Sequence, residues 1–365
     1  MRILLNGGLA PGGVQTHVHL LALLLQEAGA AVTVTAVANQ WPEDVVAGLR
    51  AKGVRVLVAA PVNGFGRGAM LGKVNAMLTW PFRLGRDFDL MYCHGHGRFH
   101  WWMRRFVRRG GLAVYHEIVD RPVQTSEPPL FFSRMDALIA NSGLVAGELA
   151  KLAPHLPVRT IPFLVSANDH PPPPLRPPVG DRELRVAFLG RLVRHKGVDW
   201  LVEKWDQIVQ EANAGPARLD VYGGDYENEP LLEALSARTN KRVQLHGPYP
   251  TAAVTKILAN TDLVLLPSIY EGLPLVLVEA MLQGVPFVTM AAGGTADLVN
   301  PDVEVTPVDD RPGFVAAVGR LTGQLRAGTI DTVRLHAWAD ARYGRRVVAD
   351  AWQQALLNPR EFFGL

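Results

Sequence analysis

Residues 261–294 carry the pattern that most restricts the fold of this chain. An apolar run from Leu263 to Leu266 has the composition of a strand buried on both faces of a parallel sheet. Pro274, a residue favoured at the start of helices, precedes an apolar and helix-forming run from Leu275 to Leu282. Phe287 to Met290 follow as a second strand. The sequence therefore predicts a βαβ unit and a parallel α/β sheet.

The loop and first helical turn of this unit contain groups suited to a phosphorylated ligand. Ligands of open α/β sheets lie at the carboxyl ends of the strands, where the first-turn amides of Leu275, Val276 and Leu277 have no acceptor within the helix. Such amides suit an anion, for example a diphosphate. Glu271 and Glu279 are better suited to accepting hydrogen bonds from hydroxyl groups of a ribose or sugar. The alternative is that Glu279 is a solvated helix residue, although its neighbours are apolar.

The segment from Glu271 to Glu279 reads Glu-Gly-Leu-Pro-Leu-Val-Leu-Val-Glu, and Ala-Met and then Gly284-Val-Pro follow it. It resembles the signature of retaining glycosyltransferases of family four. That family has the GT-B architecture, in which two Rossmann-like, doubly wound α/β domains face each other across a cleft. The resemblance implies that Glu271 lies by the donor sugar and that Glu279 holds the ribose.

A second cluster follows the predicted strand Leu184 to Leu189. The next residues read Gly-Arg-Leu-Val-Arg-His-Lys-Gly, from Gly190 to Gly197. Arg191 and Lys196 stand on either side of a strand-to-helix turn, so both can reach one anion. The segment is similar to the family's Gly-Arg-Leu and Lys-Gly motif, which implies that both cations bind the donor diphosphate. Surface charges without a ligand are the alternative.

The resemblance implies that glycines at other strand ends surround the donor. Gly12 and Gly13 lie in a turn that faces the donor diphosphate and acceptor in the family; a tight turn without a ligand is the alternative. Gly223 and Gly247 end strands where the family holds the nucleobase, and Gly294 ends a strand near the phosphates or sugar. The first turn lacks the G-x-G-x-x-G spacing and the acidic residue of a nicotinamide site, which disfavours that cofactor.

The amino-terminal part of the chain alternates strand and helix patterns, which predicts a doubly wound sheet. The predicted strands are residues 2–5, 32–36, 54–59, 90–93, 113–115, 137–140 and 158–161. His94 and His96 are interpreted as polar strand ends. His116 resembles the family's histidine that hydrogen-bonds the transferred sugar. A zinc site is disfavoured, because no third ligand has the spacing of a zinc motif.

Length and proline content predict the domain organisation. A chain of 365 residues is long for a single core, so two domains are expected. The first domain is predicted over residues 1–165 and the second over residues 184–342, joined by a proline-dense linker at 166–183. The final helix, at about 343–365, resembles the carboxyl-terminal helix that crosses back onto the first domain in this architecture.

Composition excludes several classes of protein. The single cysteine, Cys93, excludes an internal disulfide. No apolar run is long enough to span a bilayer, and no cleavage site follows the first strand, so a cytoplasmic protein is expected. Asp87-Phe-Asp89 matches the D-x-D of metal-dependent glycosyltransferases, but it precedes its strand, and we interpret both aspartates as solvated loop residues. We expect neither a metal nor a cofactor beyond the nucleotide diphosphate sugar itself.

The amino-terminal half is the basic one, with 17 Lys and Arg against 10 Asp and Glu in residues 1–165. This surplus suggests an anionic surface or acceptor, while nucleic acid is disfavoured because no binding motif accompanies it. A helix is predicted over Phe99–Arg109, with aromatic rings among cations that suit peripheral attachment to the inner face of an anionic membrane. Its residues are Trp101, Trp102, Arg104, Arg105, Arg108 and Arg109. The alternative is that the rings pack on the sheet and the arginines are solvated.

The resemblance implies transfer of a sugar, with retained configuration, from a nucleotide diphosphate donor to a hydroxyl of a glycan or lipid-linked acceptor. Such a reaction belongs to cell-surface polysaccharide or glycolipid synthesis. No metal is required, because Arg191, Lys196 and the helix amides can carry the charge of the leaving diphosphate. We expect Lys196 and Glu271 to lie at a cleft and not in a core. A nucleotide-sugar epimerase of related fold and a non-catalytic nucleotide-sugar binder are the alternatives; the binder would lack Glu271 and His116.

Overall fold

The computed structural model describes residues 1–6, 13–37, 43–59, 76–94, 98–117, 132–165, 171–174, 176–225 and 230–365. The chain divides into two compact units. The first comprises Met1–Asn168 and Arg345–Leu365, and the second comprises Asp169–Gly344. No helix among the described residues is both long and apolar enough to cross a membrane.

The first unit is built on a seven-stranded parallel sheet with the order β3-β2-β1-β4-β5-β6-β7. Its strands are β1 (Arg2–Asn6), β2 (Ala31–Val37), β3 (Arg55–Ala59), β4 (Phe88–His94), β5 (Val107–Glu117), β6 (Ala137–Ala140) and β7 (Val158–Thr160). The strand order changes direction between β1 and β4, where ligand sites of doubly wound sheets are found. The predicted doubly wound α/β fold is confirmed.

Helices cover both faces of this sheet. They span Gly13–Glu27, Glu43–Ala51, residues 76–83, Arg98–Met103, Gly143–Leu152, Arg345–Leu357 and Pro359–Phe363. Alternate strand residues point to opposite faces, so Ile3 and Leu5 pack in one core and Leu4 in the other. Trp352 is fully buried in the first of these cores, and its Nε1 donates a hydrogen bond to the Pro162 carbonyl at 2.8 Å. The last long helix is thereby part of the first unit.

The second unit has a six-stranded parallel sheet with the order β10-β9-β8-β11-β12-β13. Its strands are β8 (Leu184–Leu189), β9 (Ala217–Tyr222), β10 (Val243–Gly247), β11 (Leu263–Leu266), β12 (Phe287–Met290) and β13 (Glu304–Thr306). Its longer helices span Val198–Glu211, Leu275–Leu282, Arg311–Ala327 and Thr332–Tyr343, and shorter ones span Leu232–Ser236 and Val254–Ala259. The βαβ unit predicted between β11 and β12 has the predicted bounds.

The proline-dense segment is fixed to the second unit over its described residues. It contains no helix or strand there, as expected where prolines lack amide donors. The guanidinium of Arg176 donates to three backbone carbonyls, those of Leu258, Thr261 and Gln283. Arg182 binds both carboxylate oxygens of Asp262, at 2.7 and 2.8 Å. Burial opposes the charge of Asp262, but hydrogen bonds from Arg182 and Arg185 lower its pKa to about 2.

The helix predicted over Phe99–Arg109 is wrong in its second half. The α-helix ends at Met103, one 3-10 turn spans Arg104–Phe106, and β5 begins at Val107. Arg108 and Arg109 are therefore strand residues. Gly110 and Gly111 follow them, and glycine is a poor helix former, so pairing of β5 with β4 prevails over helix continuation.

The side chains of this stretch have partners within the protein. Arg104 forms an ion pair with Asp136 at 2.9 Å, and Arg105 lies over the Trp102 ring at 5.3 Å. Phe106 is buried, whereas Trp101 is 41% exposed. Phe106 therefore packs inside the protein, as in the alternative interpretation, whereas the Trp101 ring remains partly exposed.

Asp87 and Asp89 lie at the amino-terminal end of β4, on the predicted edge of the sheet. Both carboxylates form ion pairs: Asp87 with Arg2 at 2.5 Å and Asp89 with Arg108 at 2.6 Å. Asp87 is a loop residue with a side chain 46% exposed, as interpreted, whereas Asp89 is a strand residue with a side chain 21% exposed, which corrects the interpretation of Asp89.

Candidate functional site

In the second unit, the turn after β8 folds against the end of β11. Gly197 has φ +69°, a conformation that favours glycine, and a Cβ there would lie 2.6 Å from the Pro267 carbonyl oxygen. The amide of Ile269 donates to the His195 carbonyl at 2.9 Å. These contacts hold Lys196 against the loop that contains Glu271.

Lys196, Glu271 and Ser268 form the centre of this site. Lys196 Nζ lies 2.5 Å from Glu271 Oε1, and Ser268 Oγ donates to the same oxygen at 2.8 Å. The side chains of Lys196 and Glu271 are 12% and 8% exposed. We expected both at a cleft and not in a core; their side chains form a largely buried ion pair. Removing one member leaves the other charge buried and uncompensated, which typically costs about 3–5 kcal/mol.

The glycines after β12 shape the Glu271 loop. Gly293 has φ +57°, and a Cβ there would lie 1.9 Å from the Glu271 carbonyl oxygen, so only glycine fits this close approach. The amide of Gly294 donates to the Gly272 carbonyl at 2.5 Å. Gly294 lies beside the predicted site, and its amide is used to hold the loop.

Helix Leu275–Leu282 begins directly after this loop. Its cap residue, Pro274, makes no side-chain capping bond. The amide of Leu277 donates to the Pro274 carbonyl at 3.0 Å, so this amide is paired, contrary to our expectation. The amides of Leu275 and Val276 precede the first intrahelical bond and are the donors that an anion could use.

Glu279 lies one turn further along the helix and is half-buried. Burial raises the pKa of its carboxyl to about 8. Burial, and the charge of Glu279 next to it, raise the pKa of Tyr249. Among the described residues, no side chain donates a hydrogen bond to this carboxyl. Glu279 is therefore not a fully solvated helix residue.

Aromatic rings at the ends of β9 and β10 lie near Tyr249. The rings of Tyr222 and His246 stack at 4.3 Å, and Tyr249 meets the Tyr222 ring edge-on at 6.2 Å. His246 Nε2 lies 2.7 Å from Asp220 Oδ1. None of these side chains had a role predicted from the sequence.

The predicted donor-site glycines of this unit lie together at the carboxyl edge of the sheet. Gly190 donates to the Tyr222 carbonyl at 3.0 Å, and Gly223 donates to the Gly247 carbonyl at 2.9 Å. The ends of β8, β9 and β10 are thereby joined. Arg191 follows Gly190 with an exposed side chain.

A separate cluster of histidines lies at the carboxyl edge of the first unit's sheet. His94 and His116 are partners in the register of β4 and β5. Tyr92 Oη lies 2.8 Å from His116 Nδ1. His17, on helix Gly13–Glu27, accepts a hydrogen bond at Nδ1 from the Leu164 amide at 3.1 Å. Trp352 packs on His17 and His116, with ring centroids 4.7 and 5.2 Å away.

These three imidazoles are neutral at pH 7. Burial lowers the pKa of His17 and His116 and brings that of His94 to about 4, and repulsion between neighbouring rings lowers the pKa of His17 and His116 further. Nε2 of each ring is buried, without a hydrogen-bond partner among the described residues. His116 has no exposed surface, so in this form it lies beneath the edge of the sheet and not at its surface.

The remaining predicted site positions lie in the glycine-rich turn and after β4. Gly13 is the first residue of its helix and is exposed. Gly12 and His96 lie outside the described residues. Within the part of the chain that the structure describes, no group of three or more His, Cys, Asp or Glu residues is arranged to hold a metal ion.

Some residues of both clusters were not identified from the sequence. Ser268 is a polar residue three positions before Glu271, and this spacing could have indicated it. His17 lies four positions after Gly13 and had no predicted role. Trp352 gave no signal, because it reaches His17 and His116 from a distant part of the chain.

Two protein families match the chain in succession. Residues 11–168 match the family described as Glycosyltransferase Family 4, and residues 183–324 match Glycosyl transferases group 1. The two matches together cover most of the chain. The chain therefore belongs to the glycosyltransferases of the family-four type, and the resemblance seen in its motifs is confirmed.

Known proteins agree with this assignment. A glycogen synthase from Alkalilimnicola ehrlichii is 33% identical over 157 residues, which are 42% of this chain and 31% of that protein. The chain thus spans about a third of the length of this relative. Sucrose-phosphate synthase from Thermosynechococcus elongatus has a TM-score of 0.75 at 18% identity, covering 100% of both chains. Anabaena HepE in complex with UDP-glucose has a TM-score of 0.70 at 19% identity, covering 98% of this chain and 100% of that one. Both structures show a shared GT-B fold.

Proposed function

We propose that this protein transfers a sugar from a nucleoside diphosphate sugar to a hydroxyl group of an acceptor, with retention of configuration and without a metal. The observation that carries this proposal is the buried cluster of Lys196, Glu271 and Ser268. It stands directly before a helix whose first amides are available to an anion, with the carboxyl of Glu279 in the same helix.

The cationic groups suit the leaving diphosphate. Lys196 brings an ammonium group to the start of helix Leu275–Leu282, where the helix dipole also favours negative charge. Arg191, exposed after β8, adds a guanidinium that can bind two phosphate oxygens. Preorganised cations and amides of this kind stabilise charge that develops in the transition state, which is the role a metal has in other enzymes.

The acceptor groups suit hydroxyls of the donor. Glu271 is oriented by Ser268 and Lys196, which both bind Oε1, so a sugar hydroxyl can donate to Oε2. Glu279, whose charge acts on Tyr249, can accept hydrogen bonds from ribose hydroxyls. We propose His116 Nε2, which has no hydrogen-bond partner among the described residues, as a further contact of the transferred sugar.

The proposed chemical step needs no protein nucleophile. The acceptor oxygen forms a bond to the anomeric carbon on the face from which the diphosphate leaves. The bond between that carbon and the phosphate oxygen breaks, and the leaving phosphate takes the acceptor proton. Retention follows from attack on the same face.

We propose a glycan or lipid-linked hydroxyl as acceptor, in synthesis of cell-surface polysaccharide or glycolipid. The support is the basic surplus of residues 1–165, because such acceptors carry phosphate or acidic sugars. UDP-sugars are the first donors to test, because the HepE structure holds UDP-glucose.

The experiment begins with thermal shifts on a panel of UDP-, ADP- and GDP-sugars. A donor present at about 100 times its dissociation constant should add about 2.7 kcal/mol of stability. Release of nucleoside diphosphate is then followed with acceptor mixtures. Glu271→Gln should reduce turnover by a factor on the order of 10² to 10³, since a charge-stabilising group is lost while Lys196 keeps an amide oxygen as partner.

Glu233→Gln is the matched control, because Glu233 is an exposed glutamate of the same unit. It should keep wild-type turnover. Near-native turnover in Glu271→Gln would contradict the site assignment. Conversion of the donor's sugar without any acceptor would instead identify an epimerase, and binding without any conversion would identify a nucleotide-sugar binder.

A further inference from the structure

The helical residues 76–83 present an apolar face to solvent. Phe82 is 90% exposed, Leu78 is 65% exposed and Met77 is 39% exposed. Leu78 and Phe82 are four positions apart, as are Met77 and Pro81, so the four side chains adjoin on one side of the helix. Pro81 is also exposed.

The opposite side of this helix anchors it to the protein. Ala76, Trp80 and Leu84 are buried in the core that packs on one face of the first sheet. The exposed apolar residues are therefore held in place by a firmly packed helix, and their exposure is not the result of a loose chain end. Burying side chains as large as Leu78 and Phe82 would be worth about 1.5–3 kcal/mol each.

Cations lie beside this apolar face. Arg55, Arg83 and Arg86 are all exposed. Arg55 Nη2 donates to the Arg83 carbonyl at 2.6 Å, which fixes the start of β3 to the end of the helix. The sequence from 76 to 86 contains no aspartate or glutamate. Apolar side chains flanked by arginines match the boundary between acyl chains and anionic headgroups of a bilayer.

A second copy of the chain is a poorer occupant of this face. In a symmetric dimer the same patch meets itself, so the three arginines would approach their own copies. The same arginines are attracted by an anionic bilayer, where each adds about 1 kcal/mol near the surface.

We propose that the exposed face of residues 76–83, together with Arg55, Arg83 and Arg86, docks this protein on an anionic lipid bilayer. This surface differs from the stretch Trp101–Arg109 that the sequence suggested. It needs no glycosyltransferase activity, so it stands or fails independently of the proposed function.

The test is sedimentation of the full chain with vesicles of phosphatidylcholine, with and without phosphatidylglycerol, at low and high salt. We expect sedimentation with the phosphatidylglycerol vesicles at low salt and release at high salt. Leu78→Gln and Phe82→Gln should each weaken partitioning by about tenfold, because each removes a large apolar side chain from the contact. Arg83→Gln with Arg86→Gln should weaken it only for the anionic vesicles.

Two controls make the result specific. Val299→Gln changes an exposed apolar residue of the second unit, 58% exposed, and should leave partitioning unchanged. Trp101→Gln tests the stretch suggested by the sequence and should have little effect. Thermal melts of all variants check the fold, which surface changes should leave intact.

Three results would overturn the proposal. The wild-type protein could stay in the supernatant with phosphatidylglycerol vesicles at low salt. Partitioning could survive both Leu78→Gln and Phe82→Gln. Trp101→Gln could abolish partitioning. Light scattering adds a further check. If Phe82→Gln converts a stable dimer into monomers, a second copy covers this face instead.

Discussion

Replacing Glu279 by glutamine should stabilise the protein at alkaline pH and weaken its binding of nucleoside diphosphates. Glu279 is half-buried on helix Leu275–Leu282, and this burial raises the pKa of its carboxyl from 4.5 to about 8. Between these two pH values the folded protein holds a proton that the unfolded chain has released. The free energy of unfolding of the wild-type protein therefore falls as the pH rises from 4.5 to 8, and glutamine removes this dependence.

The size of the effect follows from the two pKa values. Each tenfold change in proton affinity corresponds to about 1.4 kcal/mol, so ionising the buried carboxyl costs at most about 5 kcal/mol more than ionising it in the unfolded chain. Because part of the residue is exposed, we expect about 2–4 kcal/mol at pH 8. At pH 5 the protonated carboxyl and the amide have similar shape and charge, so the two proteins should be equally stable.

The assay is urea unfolding of the wild-type protein and of Glu279→Gln at pH 5 and pH 8, with Glu233→Gln as the exposed control. Nucleoside diphosphate affinity is measured in parallel by calorimetry at pH 8. A carboxylate can accept from two ribose hydroxyls, whereas an amide oxygen offers fewer acceptor sites, so affinity should fall by about 10- to 100-fold.

The stability reasoning fails if Glu279→Gln is no more stable than the wild-type protein at pH 8. An equal gain at pH 5 would also contradict it, since the cause would then be packing and not charge. Unchanged nucleotide affinity would refute the proposed contact with the ribose.

Three further predictions concern the remaining charged groups. Because burial lowers the pKa of the histidine cluster, the melting temperature of the wild-type protein, measured by calorimetry, should fall as the pH drops from 6.5 towards 4. The fall should be smaller in His94→Gln. Equal falls in the two proteins would contradict this prediction. Arg176→Gln should lower the free energy of unfolding by about 1–3 kcal/mol through lost bonds to carbonyls, whereas Arg194→Gln, an exposed control, should change urea unfolding little. Transfer activity should survive EDTA, and a loss restored by manganese or magnesium would show a metal requirement.

The fold could be predicted from the sequence for those elements whose own composition shows where they are buried. The apolar runs of β8, β11 and β12 are buried on both faces, so their composition identifies them without knowledge of partners. The stretch Phe99–Arg109 failed for the opposite reason. Its aromatic and basic residues favour a helix locally, but the pairing of Val107 with Phe88 continues the sheet.

The residues of the candidate site could be predicted from the sequence better than their arrangement. The motifs identify Lys196 and Glu271, but their burial and the added bond from Ser268 depend on the turn at Gly197, which brings β8 and β11 segments together. Contacts between distant segments have no local signal. Trp352 reaches His17 and His116 only because the last long helix packs in the first unit.

The most direct test of the central claim is a proton NMR time course of the reaction with the donor found by thermal shift and a glycan or lipid-linked acceptor. The coupling constant of the anomeric proton reports the configuration of the product. Our account predicts a new glycoside with the same anomeric configuration as the donor sugar, formed only with acceptor and lost in Glu271→Gln. A product of inverted configuration, or one that forms equally well in Glu271→Gln, would contradict it.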